Sequence, residues 1–213
     1  MLENGWIMTD RANPGTRYRE LVAQYERLHL QGEPNLGLKA EETYPGVSLM
    51  PHIGRIKALI ERAGAQTLLD YGCGKGMQYE PQPITGADGR QHDSLLDYWD
   101  LDEVRCYDPC YGPYQVRPEG QFDGVICTDV LEHCATDDLE WIIGDLFGYA
   151  RKFVFASIAC YAAKSRLPNG ENAHCTVQPP AWWEALFSRC ATAFPGVRYQ
   201  LVLIEVPGPG DSD

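Results

Sequence analysis

The chain has 213 residues, 44% of them hydrophobic and 23% charged, which supports one domain with a substantial core. Its net charge of −12 and pI near 4.8 disfavour an extended nucleic-acid surface, because phosphate contacts need clustered Lys and Arg. The longest apolar stretch, Phe153 to Ala163, is too short for a membrane span and contains Ser157, and Met1-Leu2-Glu3-Asn4-Gly5 has no basic region followed by an apolar one, so a cytoplasmic chain without membrane contact is expected.

Residues 1 to 16 lack periodicity and read as a loose arm. Tyr18, Leu21, Val22, Tyr25 and Leu28 then recur at helical spacing, which predicts an amphipathic helix. That helix either packs on the core or a partner, or serves as a lid over a site; the two are compatible. Gln31 to Pro45 carries Gly32, Pro34 and Gly37 and reads as a loop. Pro51 suits the first position of a helix whose stripe is Ile53, Ile56, Leu59 and Ile60, ending near Gly64. His52 at its start either caps, faces solvent or points into a site. The natural division is an arm and helix over 1–47 and a second region over 48–213.

Thr67 to Asp70 is a short apolar strand that leads into Asp70-Tyr71-Gly72-Cys73-Gly74-Lys75-Gly76, with three glycines at alternate positions. Glycine accepts positive φ and lets a ligand approach the backbone, so this is a strand-to-helix turn built for contact. A phosphate loop is disfavoured because Lys75 is followed by Gly76 and Met77. The dinucleotide pattern G-x-G-x-x-G is absent, since the third glycine comes one residue early. A helix is expected after Gly76 and is soon broken by Pro81, Pro83, Gly86 and Gly89. Glu80 to Leu101 reads as a long loop whose second half, Ser94 to Asp100, mixes aromatic and acidic residues: a surface loop with an aromatic patch tucked onto the fold, or a wall of a substrate pocket.

Val104 to Tyr107 is a further strand ending at Asp108-Pro109, and Phe122-Asp123-Gly124-Val125-Ile126-Cys127-Thr128 is another, leaving through Asp129-Val130-Leu131-Glu132-His133. Thr136 is expected to cap a helix with Asp137 and Asp138 in its first turn and Leu139, Ile142, Ile143, Leu146 and Phe147 as its buried stripe. Lys152 to Cys160 reads as a buried central strand, followed by a polar loop, Ala162 to Pro180, that holds His174. Pro179-Pro180 opens a helix with Trp182, Trp183, Leu186 and Phe187, and Arg198 to Val206 is the last strand, with Pro207-Gly208-Pro209-Gly210 ending the fold. Strands alternating with helices predict an α/β fold with a parallel sheet and helices on both faces. The eight cysteines include no C-x-x-C pair. Cys106, Cys110, Cys127, His133 and Cys134 are the nearest approach to a metal set, but reduced thiols without metal are the preferred reading.

The glycine turn after Asp70, the acid Asp108 ending the next strand, and the Phe122–His133 run occur in the order found in class I S-adenosylmethionine (SAM)-dependent methyltransferases, and the chain resembles that family over roughly residues 50 to 160. The resemblance implies a Rossmann-like sheet and SAM as cofactor, with S-adenosylhomocysteine (SAH) as product. It suggests the first helix as a lid over the cofactor site and makes Glu80 to Leu101 an insertion, since the family commonly has a much shorter segment between the two acids. It implies that Asp70, Tyr71, Gly72, Cys73, Gly74 and Gly76 surround the methionine tail and ribose. Asp108 with Pro109 would hold the ribose hydroxyls, and Thr128, Asp129 and Val130 would face the reactive end. Loss of Asp108 is then expected to cost cofactor affinity and leave the fold intact. His133 and His174 are the candidate bases, with Asp129 beside them; each histidine otherwise has a structural role. The family commonly closes with two more strands, one antiparallel, whereas one is visible here, so either a strand hides near 171–177 or the sheet is trimmed. The expected activity is methyl transfer to O or N of a small soluble acceptor, with the helix tryptophans more readily core than pocket wall. RNA, DNA or protein as acceptor, or SAM/SAH binding without transfer, are the alternatives.

Overall fold

In a computed structural model the chain is described over residues 9–206; the readings made of residues 1–8 and 207–213 lie outside that range. Five parallel strands form the main sheet: β1 (Thr67–Tyr71), β4 (Glu103–Tyr107), β5 (Phe122–Thr128), β6 (Ala150–Ala159) and β7 (Arg198–Ile204), in the order β4-β1-β5-β6-β7. Two two-residue strands, β2 (Ile84–Thr85) and β3 (Gln91–His92), pair antiparallel as a separate hairpin inside the insertion. The chain starts its sheet in the interior at β1, moves outward to β4, then crosses back to β5. This reversal opens a crevice between β1 and β5 at the carboxyl ends of the strands, where ligands gather in open α/β sheets. The fold is a Rossmann-like α/β fold.

Both faces are covered. On one, α4 (Leu139–Tyr149) and α5 (Pro180–Ala191) bury Ile142, Ile143, Leu146, Phe147, Trp183 and Phe187 against Val125, Val154 and Ala156. On the other, α2 (Ile53–Ala63) and the short α3 (Leu95–Trp99) bury Ile56, Ile60, Leu95 and Trp99 against Leu68, Ile126 and Phe155. The near-continuous apolar run of β6 follows from this, because a strand covered on both faces has no polar side. The aromatic half of the insertion is therefore core. Trp99 is fully buried and its Nε1 donates to the Ile53 carbonyl at 3.0 Å. Burying Leu95, Tyr98 and Trp99 yields about 1.5–3 kcal/mol each, whereas doubling a loop's length costs only ~0.6 kcal/mol, so the insertion is easily held.

The long first helix, α1 (Thr16–Gln31), packs Leu21, Tyr25 and Leu28 over Ala135, Ala163, Leu167 and Ala173 at the carboxyl end of the sheet. Residues 9–15 have no regular structure and are tied to the α4 region: Arg11 Nε donates to Asp145 at 2.7 Å and the Gly15 amide to Asp138 Oδ1 at 3.0 Å.

Three local expectations are corrected, and between a strand near 171–177 and a trimmed sheet the structure has the trimmed sheet. Pro51 lies within a 3-10 stretch, Val47–His52, and α2 starts after it at Ile53. After Gly76 only one 3-10 turn forms, Met77–Tyr79, because Pro81 and Pro83 leave no room for a helix. Thr136 does not cap α4; it opens a 3-10 turn and its hydroxyl pairs with that of Thr176 at 3.1 Å. No strand forms over 171–177; an isolated bridge, Arg166 to Asn172, is the pairing there, and β7 runs parallel to β6, so among the described residues the main sheet has no antiparallel member.

Candidate functional site

The strand register sets the acids on one edge. Tyr71 pairs with Tyr107 and Thr128 with Ser157, so Asp70, Asp108 and Asp129 all leave their strands at the same end of the sheet. From there the glycine turn doubles back beneath residues 43–46. Gly72, Gly74 and Gly76 all have positive φ, which a side chain would strain. Two of them also make room for the chain itself. A Cβ on Gly72 would meet Val130 at 2.4 Å, and one on Gly74 would meet the Tyr44 carbonyl oxygen at 2.4 Å. The Lys75 and Met77 amides donate to the Tyr44 and Pro45 carbonyls at 2.9 and 3.0 Å. The close approach that the glycines permit is thus used first by the chain's own amino-terminal segment.

Lys75 fastens that segment. Its ammonium donates to the Thr43 carbonyl and to His29 Nδ1, and lies 5.5 Å from the Tyr111 ring centre. Burial and the Lys75 charge push His29 down to about 3, so it is neutral and accepts. His29 in turn stacks on Tyr111, with ring centres 5.0 Å apart. Helical spacing predicted α1, and the family resemblance suggested it as a lid, but nothing in the sequence showed that Lys75 would bond the segment that follows it.

Under the turn, Asp70 is almost fully buried. Its Oδ2 accepts from Gln78 Nε2 at 3.0 Å and from the Tyr79 hydroxyl at 2.8 Å. Burial raises its carboxyl to about 7 against the downward pull of those two bonds. Its Oδ1, and Oε1 of Gln78, are buried with no hydrogen-bond partner among the described residues. Gln78 and Tyr79 escaped the sequence reading because neither lies in a motif; the only cue was a polar glutamine beside a glycine turn.

Asp108 is likewise buried, its Oδ2 accepting from the Gly74 amide at 2.9 Å and its Oδ1 from the Cys110 amide at 2.8 Å. Burial raises it to about 6, opposed by those two amides and by Lys75. It therefore braces the turn as well, and its loss is expected to cost stability in addition to affinity. Tyr71 and Cys73 direct their side chains inward, Tyr71 against the Tyr107 ring, and so offer a ligand only backbone. Pro109 is half-buried beside Asp108, and Thr128 is buried with its hydroxyl near that of Ser48 at 3.5 Å.

The exit of β5 carries the densest chemistry. Asp129 adopts φ +59°, a left-handed conformation in which its amide donates to the Ser157 carbonyl at 3.1 Å. Such backbone is found where the surrounding structure over-determines it, often at functional sites. The chain then makes the 3-10 turn Leu131–His133, which buries Glu132 completely, with its carboxyl accepting from the Ala159 amide. Burial first, then the neighbouring Asp129 charge, push Glu132 well above the usual carboxylate range. The loop after β6 is stitched onto this turn: the Thr176 amide donates to the Glu132 carbonyl at 2.9 Å, and Cys175 Sγ approaches the His133 carbonyl at 3.2 Å. Those contacts carry His174 against His133, with ring centres 4.7 Å apart and nearly perpendicular. The three candidate catalytic residues, Asp129, His133 and His174, so converge from two separate segments, with one ligand-capable atom of each within 4.8 Å of the others.

The sparse cysteine set does not form a disulfide; all eight thiols are free. No helix among the described residues is long and apolar enough to cross a membrane. Comparison with protein-family models, with curated proteins and with solved structures finds no match in any of the three.

Proposed function

We propose that the chain is a SAM-dependent methyltransferase acting on O or N of a small soluble acceptor. One observation carries the reading: among the described residues, two buried acceptors beneath the glycine turn, Asp70 Oδ1 and Gln78 Oε1, have no hydrogen-bond partner. A buried acceptor left unpaired costs about 1–3 kcal/mol, so a donor from a bound ligand suits them. The ammonium group of an amino-acid tail supplies such donors, and a carboxylate suits its charge. Asp108, one strand over, suits a pair of ribose hydroxyls, since a carboxylate has lone pairs beyond the two used by Gly74 and Cys110.

When bound, SAM supplies a methyl group already activated by its sulfonium. The chain's part is positioning and proton handling. Lys75, His29 and Tyr111 close the amino-terminal segment over the crevice and exclude water. Asp129, His133 and His174 form the polar end at which an acceptor hydroxyl or amine is held and its proton removed.

Asp70 gives the test. An ammonium is held far more strongly by an ionised carboxylate than by the neutral acid, so with Asp70 near 7 SAM affinity is expected to fall as pH drops below about 7. Asp70→Asn is expected to weaken SAM and to flatten that dependence between pH 6 and 8; an unaltered pH profile in the variant would remove Asp70 from the site. In the absence of ligand the sign is opposite. The folded chain keeps a proton that the unfolded chain releases above the ordinary carboxylate range, so this contribution to stability is present at low pH and lost as pH rises through about 7.

A further inference from the structure

We infer that Asp129, His133 and His174 form a binding site for one divalent transition-metal ion. Each residue brings one ligand-capable atom within 4.8 Å of the other two, and they come from the β5 exit and the loop after β6. Around an ion with bonds of ~2.1 Å, neighbouring ligand atoms stand about 3.0–3.4 Å apart. Side-chain rotation on the scale of an ångström closes the difference.

The hydrogen bonds behind the rings bear on which nitrogen carries the proton. The His174 Nδ1 lies 2.6 Å from the Tyr161 carbonyl oxygen, which can only accept, so Nδ1 carries the proton and Nε2 the lone pair. For His133, Nδ1 is 3.2 Å from the Ala173 carbonyl oxygen and 2.7 Å from the Tyr25 hydroxyl, which is itself 2.7 Å from that carbonyl; with the Tyr25 proton on the carbonyl, His133 Nδ1 donates and Nε2 carries the lone pair. In that tautomer each Nε2 carries the lone pair a cation would take, and carbonyl and hydroxyl partners of this kind commonly orient metal-bound histidines. Asp129 adds one negative charge, on a backbone whose left-handed conformation is locked by Ser157.

Two imidazoles with one carboxylate favour ions such as Mn, Co or Zn over Mg or Ca, which prefer all-oxygen sites. Three protein ligands also leave coordination positions open, as in catalytic rather than structural sites. None of this depends on the methyltransferase reading. Where that reading holds, the open positions would suit the acceptor oxygen, and a bound cation would lower the acceptor's pKa, with the histidines then serving as ligands in place of the proton-removing role proposed for the metal-free site.

Cobalt(II) is the probe, because thiolate ligation gives intense near-ultraviolet charge-transfer bands and would expose binding by the cysteines. The full chain, with thiols reduced and no SAM present, is titrated by calorimetry and visible absorption. One ion per chain with a nitrogen–oxygen spectrum is expected. Asp129→Asn and His174→Gln should weaken it by at least the ~10–100-fold that loss of an outer partner costs, and Tyr25→Phe by an amount within that range. Asparagine adopts left-handed backbone readily, so Asp129→Asn decides the matter even if His174→Gln fails to fold. Absence of binding, binding equal in wild type and Asp129→Asn, or a thiolate spectrum each overturns the inference. A separate SAM titration reports on the cofactor reading independently.

Discussion

Asp108→Asn is expected to lower SAM affinity by about 10- to 150-fold, the equivalent of about 1.5–3 kcal/mol for hydrogen bonds to a charged group. The substitution keeps the shape of the side chain while removing its charge and turning one acceptor into a donor. In the wild type both oxygens already receive backbone amides, from Gly74 and Cys110. An amide NH2 facing one of those N–H groups leaves a buried donor unpaired, so stability should fall by about 1–3 kcal/mol as well. Affinity is read by calorimetry and stability by thermal unfolding. Loss of stability with unchanged SAM affinity would restrict Asp108 to holding the turn and remove the ribose from its neighbourhood.

Gly74→Ala should be costlier to the fold, by about 2–5 kcal/mol. A left-handed backbone costs a residue with a Cβ roughly 1–2 kcal/mol, and overpacking adds about 1–3 kcal/mol. At φ +58° both apply, because the new Cβ would stand 2.4 Å from the Tyr44 carbonyl oxygen, a backbone atom that cannot rotate away. Gly64→Ala is the control: its φ is +55°, with nothing within 4 Å of the added carbon. Denaturant unfolding should separate the two, and hydrogen exchange at Lys75 and Met77, whose amides bond residues 44 and 45, should rise only in Gly74→Ala. Equal losses in both variants would mean that the amino-terminal segment is not seated on the turn.

Much of the fold was legible because burial writes itself into the strands. Phe122–Thr128 and Ala150–Ala159 are largely apolar because both faces are covered, and Asp129 marks where the first of them ends. The stripe of α2 and the core half of α4 followed from period 3.6. What sequence reasoning missed depends on tertiary contact. Thr136 has the chemistry of a cap, yet its hydroxyl is claimed by Thr176, 40 residues on. The glycines read as a ligand contact, and the structure adds Tyr44 and Val130 as the groups they accommodate. His133 and His174 were each named as candidates on local grounds, but only the loop bonds from Cys175 and Thr176 bring them together with Asp129. That juxtaposition also turns attention from the cysteines to the histidines as the cation-binding groups.

The most direct test of the central claim is calorimetric titration of the wild-type chain with SAM, SAH and NAD at pH 8, where Asp70 is ionised. The account predicts saturable 1:1 binding of SAM and SAH and no binding of NAD. Binding of NAD, or of none of the three, would contradict the assignment of the glycine turn and of the buried acceptors beneath it.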